Sequence, residues 1–82
     1  MENINGLIVF KDYGKIVFRI AEVMDKKGIS RNKLCALTGI RFEVADRYYK
    51  GNIERLDIDV FTRICCVLNC NTGDLIEYRK DE

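Results

Sequence analysis

Three glycines, Gly28, Gly39 and Gly51, cut the middle of this 82-residue chain into short segments, and no proline occurs anywhere. Each glycine follows a stretch whose apolar residues recur at helical spacing, and glycine most easily takes the left-handed conformation that closes a helix. That punctuation constrains the chain to short helices joined by tight turns, and disfavours a many-turned β fold. From Lys15 to Lys27, Ile16, Val17, Ile20, Ala21, Val23 and Met24 recur at threes and fours. This spacing predicts an amphipathic helix that stops at Gly28, after Lys26 and Lys27. Ser30 is an N-cap for a second helix over Arg31–Thr38, with Leu34, Cys35 and Leu37 inward. A third runs from about Arg41 to Lys50, with Ala45 and Tyr48 on its buried side, and Gly51-Asn52 closes it. Asp57 can cap a fourth, in which Phe61, Ile64, Cys65 and Leu68 form one stripe. Asn71 and Asp74 have capping-box spacing and open a short fifth helix through Leu75, Ile76 and Tyr78. Gly6 to Phe10 is β-prone and reads as an edge strand or arm. The expected fold is therefore all-α: a compact five-helix domain with a short N-terminal β-strand or arm within residues 1–14.

At this length the chain is expected to be a single domain, spanning 1–82. Apolar residues make up 48% of it, enough for a packed core. The longest apolar run, Leu7 to Phe10, is far too short to span a membrane, and the start lacks the basic and apolar regions of a signal peptide. A soluble, cytoplasmic protein is expected. Its four cysteines then read as reduced thiols, with Cys35 and Cys65 as small core residues. There is no His, and the paired C-x-x-C spacing of a zinc site is absent, so neither a metal nor a cofactor is expected. Without His, a phosphate-binding glycine loop or a nucleophile–base pair, the chain is not expected to be an enzyme. A redox role would fall to Cys66 or Cys70.

The net charge is only +1, but it is unevenly placed. Residues 26–55 hold eight basic and three acidic side chains, whereas residues 56–82 hold three basic and six acidic. A local positive surface of this kind is what phosphate contacts require. The same segment contains S-R-N-K-L-C-A-L-T-G-I-R-F-E-V-A-D-R-Y-Y-K-G, Ser30 to Gly51. Two short helices meet there at Gly39, where a tight corner needs a residue without a Cβ, and small Cys35 lies where the helices approach. Apolar Ile40 follows the glycine. This is the pattern of a helix-turn-helix, whose second helix enters the major groove of DNA.

Together with R-L-D-I-D-V-F-T-R-I-C-C-V-L-N-C-N-T-G-D-L-I-E-Y (Arg55 to Tyr78), the sequence resembles the phage-repressor and Cro-like helix-turn-helix regulators over nearly its whole length. The tail looks like a subgroup in which "IC..LNC" precedes "GDLIEY". The resemblance implies a lambda-repressor-like domain binding double-stranded DNA as a homodimer, from a bacterium, phage or mobile element. It places a recognition helix over about 41–50. Arg41, Phe42, Glu43, Asp46 and Arg47 then face base edges, where arginine suits guanine and Glu43 suits the cytosine amino group. Ser30, Arg31, Asn32 and Lys33 at the start of the second helix, with Tyr49, Lys50 and Asn52, would meet phosphate.

Two departures keep an alternative open. The family often has Ser or Thr where this chain has Arg41. Glu43 and Asp46 put negative charge on the presumed DNA face, at the spacing for ion pairs with Arg47 and Lys50. The alternative is a solvated face stitched by ion pairs, on a protein-interaction module such as an antitoxin-like or antirepressor partner. Phe42 and Tyr49 could stack on DNA or simply pack. Phe18 and Leu7–Phe10 lie off the main stripe, where they could cover the core or form a subunit contact.

Overall fold

The computed structural model describes residues 13–80. Among them the elements run β1 (Lys15–Phe18), α1 (Ile20–Lys27), α2 (Arg31–Thr38), α3 (Phe42–Lys50), α4 (Ile58–Leu68), α5 (Thr72–Leu75) and β2 (Ile76–Arg79). The strand or arm expected at Gly6 to Phe10 lies outside the described residues. Five helices are present, as expected, and glycine ends the first three. Gly28, Gly39 and Gly51 each take a left-handed conformation, with φ of 68°, 81° and 76°.

Two expectations are corrected at the ends of the described chain. The helix expected from Lys15 begins only at Ile20, and Lys15–Phe18 is a strand paired antiparallel with β2, Ile16 opposite Tyr78. Likewise the fifth helix is a single turn, and Ile76 and Tyr78 belong to β2. Both stretches are rich in β-branched and aromatic residues, and each finds in the other the partner that a single strand lacks. The Arg19 amide donates to the Leu75 carbonyl (2.7 Å), which locks the point where strand gives way to helix on both sides.

The core sits where the five helices meet: Ile20, Met24, Leu34, Ala45, Tyr48, Phe61, Ile64, Leu68 and Leu75 are buried. Each fully buried large aliphatic contributes about 1.5–3 kcal/mol by leaving water. Phe18, expected off the main stripe, packs against this core beside Gly51. Leu37, expected inward, is 51% exposed, and Thr38 takes the inner position. The reason is helical phase: Thr38 lies four residues after buried Leu34 and continues its stripe. Its hydroxyl donates to the Leu34 carbonyl (2.6 Å), so the buried polar atom is satisfied. Among the described residues no helix is long and apolar enough to cross a membrane.

Candidate nucleic-acid interface

The sequence between Ser30 and Asn52 folds into two helices set against each other by a three-residue corner. Ser30 caps α2, its Oγ accepting from the Lys33 amide (3.0 Å). Gly39 ends α2, donating to the Cys35 carbonyl (2.8 Å). Arg63, on α4, donates to the Thr38 carbonyl (3.0 Å), so the corner is braced from behind. On α3, Ala45 and Tyr48 are buried as expected, and the Tyr48 hydroxyl accepts from the Asp57 amide (3.0 Å) at the start of α4. The angle of α3 is thus held at both ends, which leaves its opposite face to solvent.

That outer face carries Arg41, Phe42, Glu43, Arg47 and Lys50, all exposed. Asn52, just beyond the helix, is exposed too, and its amide donates to the Arg47 carbonyl (3.0 Å). At the N-terminus of α2, Ser30, Asn32 and Lys33 are exposed and Arg31 is half-buried. Arg31 is where the two helices join. Its guanidinium reaches Asp46 Oδ1 at 2.5 Å and lies over the Tyr49 ring, 4.9 Å from the centroid, and near the Phe42 ring at 5.8 Å. Asp46 Oδ2 takes the Lys50 ammonium at 3.1 Å. Lys50, and then Arg31, hold the Asp46 carboxyl below the usual carboxylate range despite partial burial. The family resemblance implies Asp46 among the base readers, yet both of its oxygens are occupied by cations of this protein. Of the two ion pairs that the spacing allows, Asp46–Lys50 is present.

Sequence reasoning missed two contributors. Asp25 of α1 accepts from the Tyr49 hydroxyl (2.9 Å), which raises the phenol above its ordinary pKa and fixes the ring under Arg31. No local period links residues 25 and 49, so nothing in the sequence signals the pair. Arg55, exposed, lines an open cleft of about 390 Å³ together with Arg47, Asn52 and Glu54. Its place in the basic middle third was the available signal. With it, Lys33, Arg41, Arg47 and Lys50, the α2–α3 segment carries its exposed cations on or beside the two helices that form the corner.

The chain is similar to known proteins. A curated relative, the uncharacterized HTH-type transcriptional regulator YozG of Bacillus subtilis (strain 168), is 28% identical over 67 residues, covering 82% of this chain and 80% of that protein. The crystal structure of the transcriptional regulator VanUg superposes with a TM-score of 0.65, covering 92% of this chain and 99% of that one, at 18% identity. At that identity the likeness establishes the shared fold. The Cro/C1-type HTH DNA-binding domain family matches residues 19–81, from the end of β1 through β2, and the chain belongs to that family.

Proposed function

We propose that this DNA-binding domain is a sequence-specific transcriptional regulator acting as a homodimer in the cytoplasm, by binding and not by catalysis. In this reading residues 1–82 form one domain, and residues 30–51 are its helix-turn-helix, with α3 in the major groove. Arg41 and Arg47 read guanine edges, Glu43 accepts from a cytosine amino group and Phe42 contacts a thymine methyl. Ser30, Arg31, Asn32, Lys33, Tyr49, Lys50 and Asn52 meet phosphate and fix the register. One such helix covers few base pairs, so two copies reading half-sites about 34 Å apart would supply the rest.

The observation that carries this reading is the Arg31–Asp46–Lys50 bridge. It neutralises the acid that would otherwise repel phosphate and orders two cations at the seam between α2 and α3. Asp46 is then a strut for its neighbours, and the outward charge of the face belongs mainly to arginine and lysine.

The test is a fluorescence-anisotropy titration against the duplex upstream of the protein's own gene, with scrambled competitor, at two salt concentrations. Arg47→Ala should abolish the preference over scrambled duplex. Lys33→Ala should weaken both duplexes alike and lower the salt slope by about one. Equal, weak binding of the wild type to every duplex would overturn the reading.

A further inference from the structure

Helix α4 ends in a motif that brings two cysteines together. Asn69 follows the helix in a left-handed conformation (φ 54°, ψ 52°) and donates to the Cys66 carbonyl (3.2 Å), while the Cys70 amide donates to the Cys65 carbonyl (3.1 Å). These two crossed bonds are a Schellman cap, and in such a cap the side chains flanking the longer bond characteristically touch. Here those side chains are Cys65 and Cys70. With ordinary bond lengths, a 3.1 Å contact between the Cys65 oxygen and the Cys70 nitrogen holds the two Cα atoms within about 7 Å. Disulfides usually join Cα atoms about 4.4–6.8 Å apart.

We propose that Cys65 and Cys70 are an oxidisable dithiol that closes to an intramolecular disulfide across the α4 cap when the protein meets a hydroperoxide. Both cysteines are half-buried, and both line an open cleft of about 440 Å³ with Thr62, Cys66 and Asn69, so a small oxidant reaches them. Cys66, the exposed neighbour, sits more than a quarter of a turn, about 100°, round the helix from Cys65, and its carbonyl accepts from Asn69 rather than from Cys70. Among the described residues no group of three metal-ligating side chains offers these thiols a metal instead. Burial, and then the neighbouring Cys70, push the Cys65 thiol up, so Cys65 is assigned as the thiol that resolves the intermediate.

The Cys70 thiolate attacks one peroxide oxygen, the O–O bond breaks, and hydroxide leaves to become water. The sulfenic acid formed on Cys70 is then attacked by the Cys65 thiolate, and its hydroxyl departs as a second water. Two thiols and one hydroperoxide group give one disulfide and two hydroxyl products, with two electrons passing from the sulfurs to the peroxide. The bond would fix the point where α4 ends, and with it the approach of α5 and β2.

The experiment uses the full chain, reduced, desalted without oxygen and titrated with hydrogen peroxide. Remaining thiols are then alkylated and the intact mass is read. The expected result is loss of two of the four alkylatable thiols without a dimer, reversed by dithiothreitol. Cys66→Ser should keep this reaction, while Cys65→Ser and Cys70→Ser should each abolish it. Because the half-buried variants could misfold, fragment spectra of the oxidised wild-type peptide from Ile64 to Arg79 locate the bond independently. A rise in melting temperature on oxidation of Cys66→Ser, absent after reduction, is expected as well. Four thiols still alkylatable, or a bond that involves Cys66 or Cys35, would overturn the proposal.

Discussion

Arg41 occupies a position where stability and recognition pull in opposite directions. It is the N-cap of α3, with φ −76° and ψ 156°, close to the −79° and 167° of Ser30 at the start of α2. Ser30 supplies a side-chain acceptor to its helix, whereas Arg41 makes no side-chain cap. At α3 the Val44 and Ala45 amides instead share the Arg41 carbonyl, each at 3.0 Å. An Arg41→Ser hydroxyl would take the Val44 amide and leave the carbonyl to Ala45. Capping residues are worth about 0.5–2 kcal/mol over residues that cannot cap. Since Val44 already has a shared partner, the lower half of that range applies, roughly 0.5–1 kcal/mol. For a domain of this length that gain raises the melting temperature by about 2–8 °C.

The same substitution removes a guanidinium from the α3 face. A bidentate guanine contact is worth about 1–3 kcal/mol of discrimination, or roughly 5- to 150-fold in affinity. Arg41→Ser is thus expected to melt later and bind its operator more weakly, while Arg41→Ala binds weakly with no gain in melting temperature. Thermal melts followed by circular dichroism, with anisotropy titrations on the same samples, measure both quantities. A stabilised Arg41→Ser variant with undiminished affinity would refute the base contact. Weaker binding without stabilisation would refute the capping argument.

A Cβ on Gly14 would lie 2.7 Å from the Arg79 carbonyl and 2.8 Å from the Tyr78 hydroxyl, at a φ of 86°. Gly14→Ala is therefore expected to cost more than about 1 kcal/mol, lowering the melting temperature by roughly 4 °C or more, and an unchanged melt would contradict the β1–β2 pairing. Acid should weaken the fold through Asp46 and Glu77. The Asp46 carboxyl is held low by Lys50 and Arg31, and that of Glu77 by Arg79 and Arg19. A carboxylate with a depressed folded-state pKa stabilises fully above its ordinary value near pH 4 and loses that contribution as pH falls through the folded value. Melting temperature should drop below about pH 4, and Asp46→Asn with Glu77→Gln should flatten that limb; identical acid profiles would count against both pairings.

The middle of the fold was legible because its signals are local. Ser30 and Asp57 cap their helices as their side chains suggest, Asn71 and Asp74 form their capping box, and Gly28, Gly39 and Gly51 end helices by a conformation other residues avoid. The two ends were not legible, because Lys15–Phe18 and Ile76–Arg79 become strands only by meeting across some sixty residues. Ile16, Val17 and Ile20 fit a helical period as well as a strand, and pairing decided between them. At the candidate interface, the family resemblance implied Arg41, Arg47 and Lys50 on the outer face of α3, where they are exposed. It could not show that Arg31 crosses from α2 to Asp46, nor that Tyr49 is held by Asp25 on α1, since both contacts depend on how helices pack.

The acids on α3 bear on how such a face discriminates among duplexes. Cations that meet phosphate raise affinity for every sequence alike, so a strongly basic face gains binding without gaining selectivity. This chain carries its positive charge within residues 26–55 and an acidic excess beyond residue 55. A field divided in this way orients an approaching duplex towards the basic segment while keeping the whole molecule near neutrality. Asp46, tied to Arg31 and Lys50, orders two of these cations where free side chains would lose entropy on binding. Glu43 stays exposed, and a carboxylate there is penalised on every duplex except one presenting a cytosine amino group. In the proposed reading the weak overall charge thus lowers non-specific binding more than binding to the correct site, and selectivity rises because general affinity is held down.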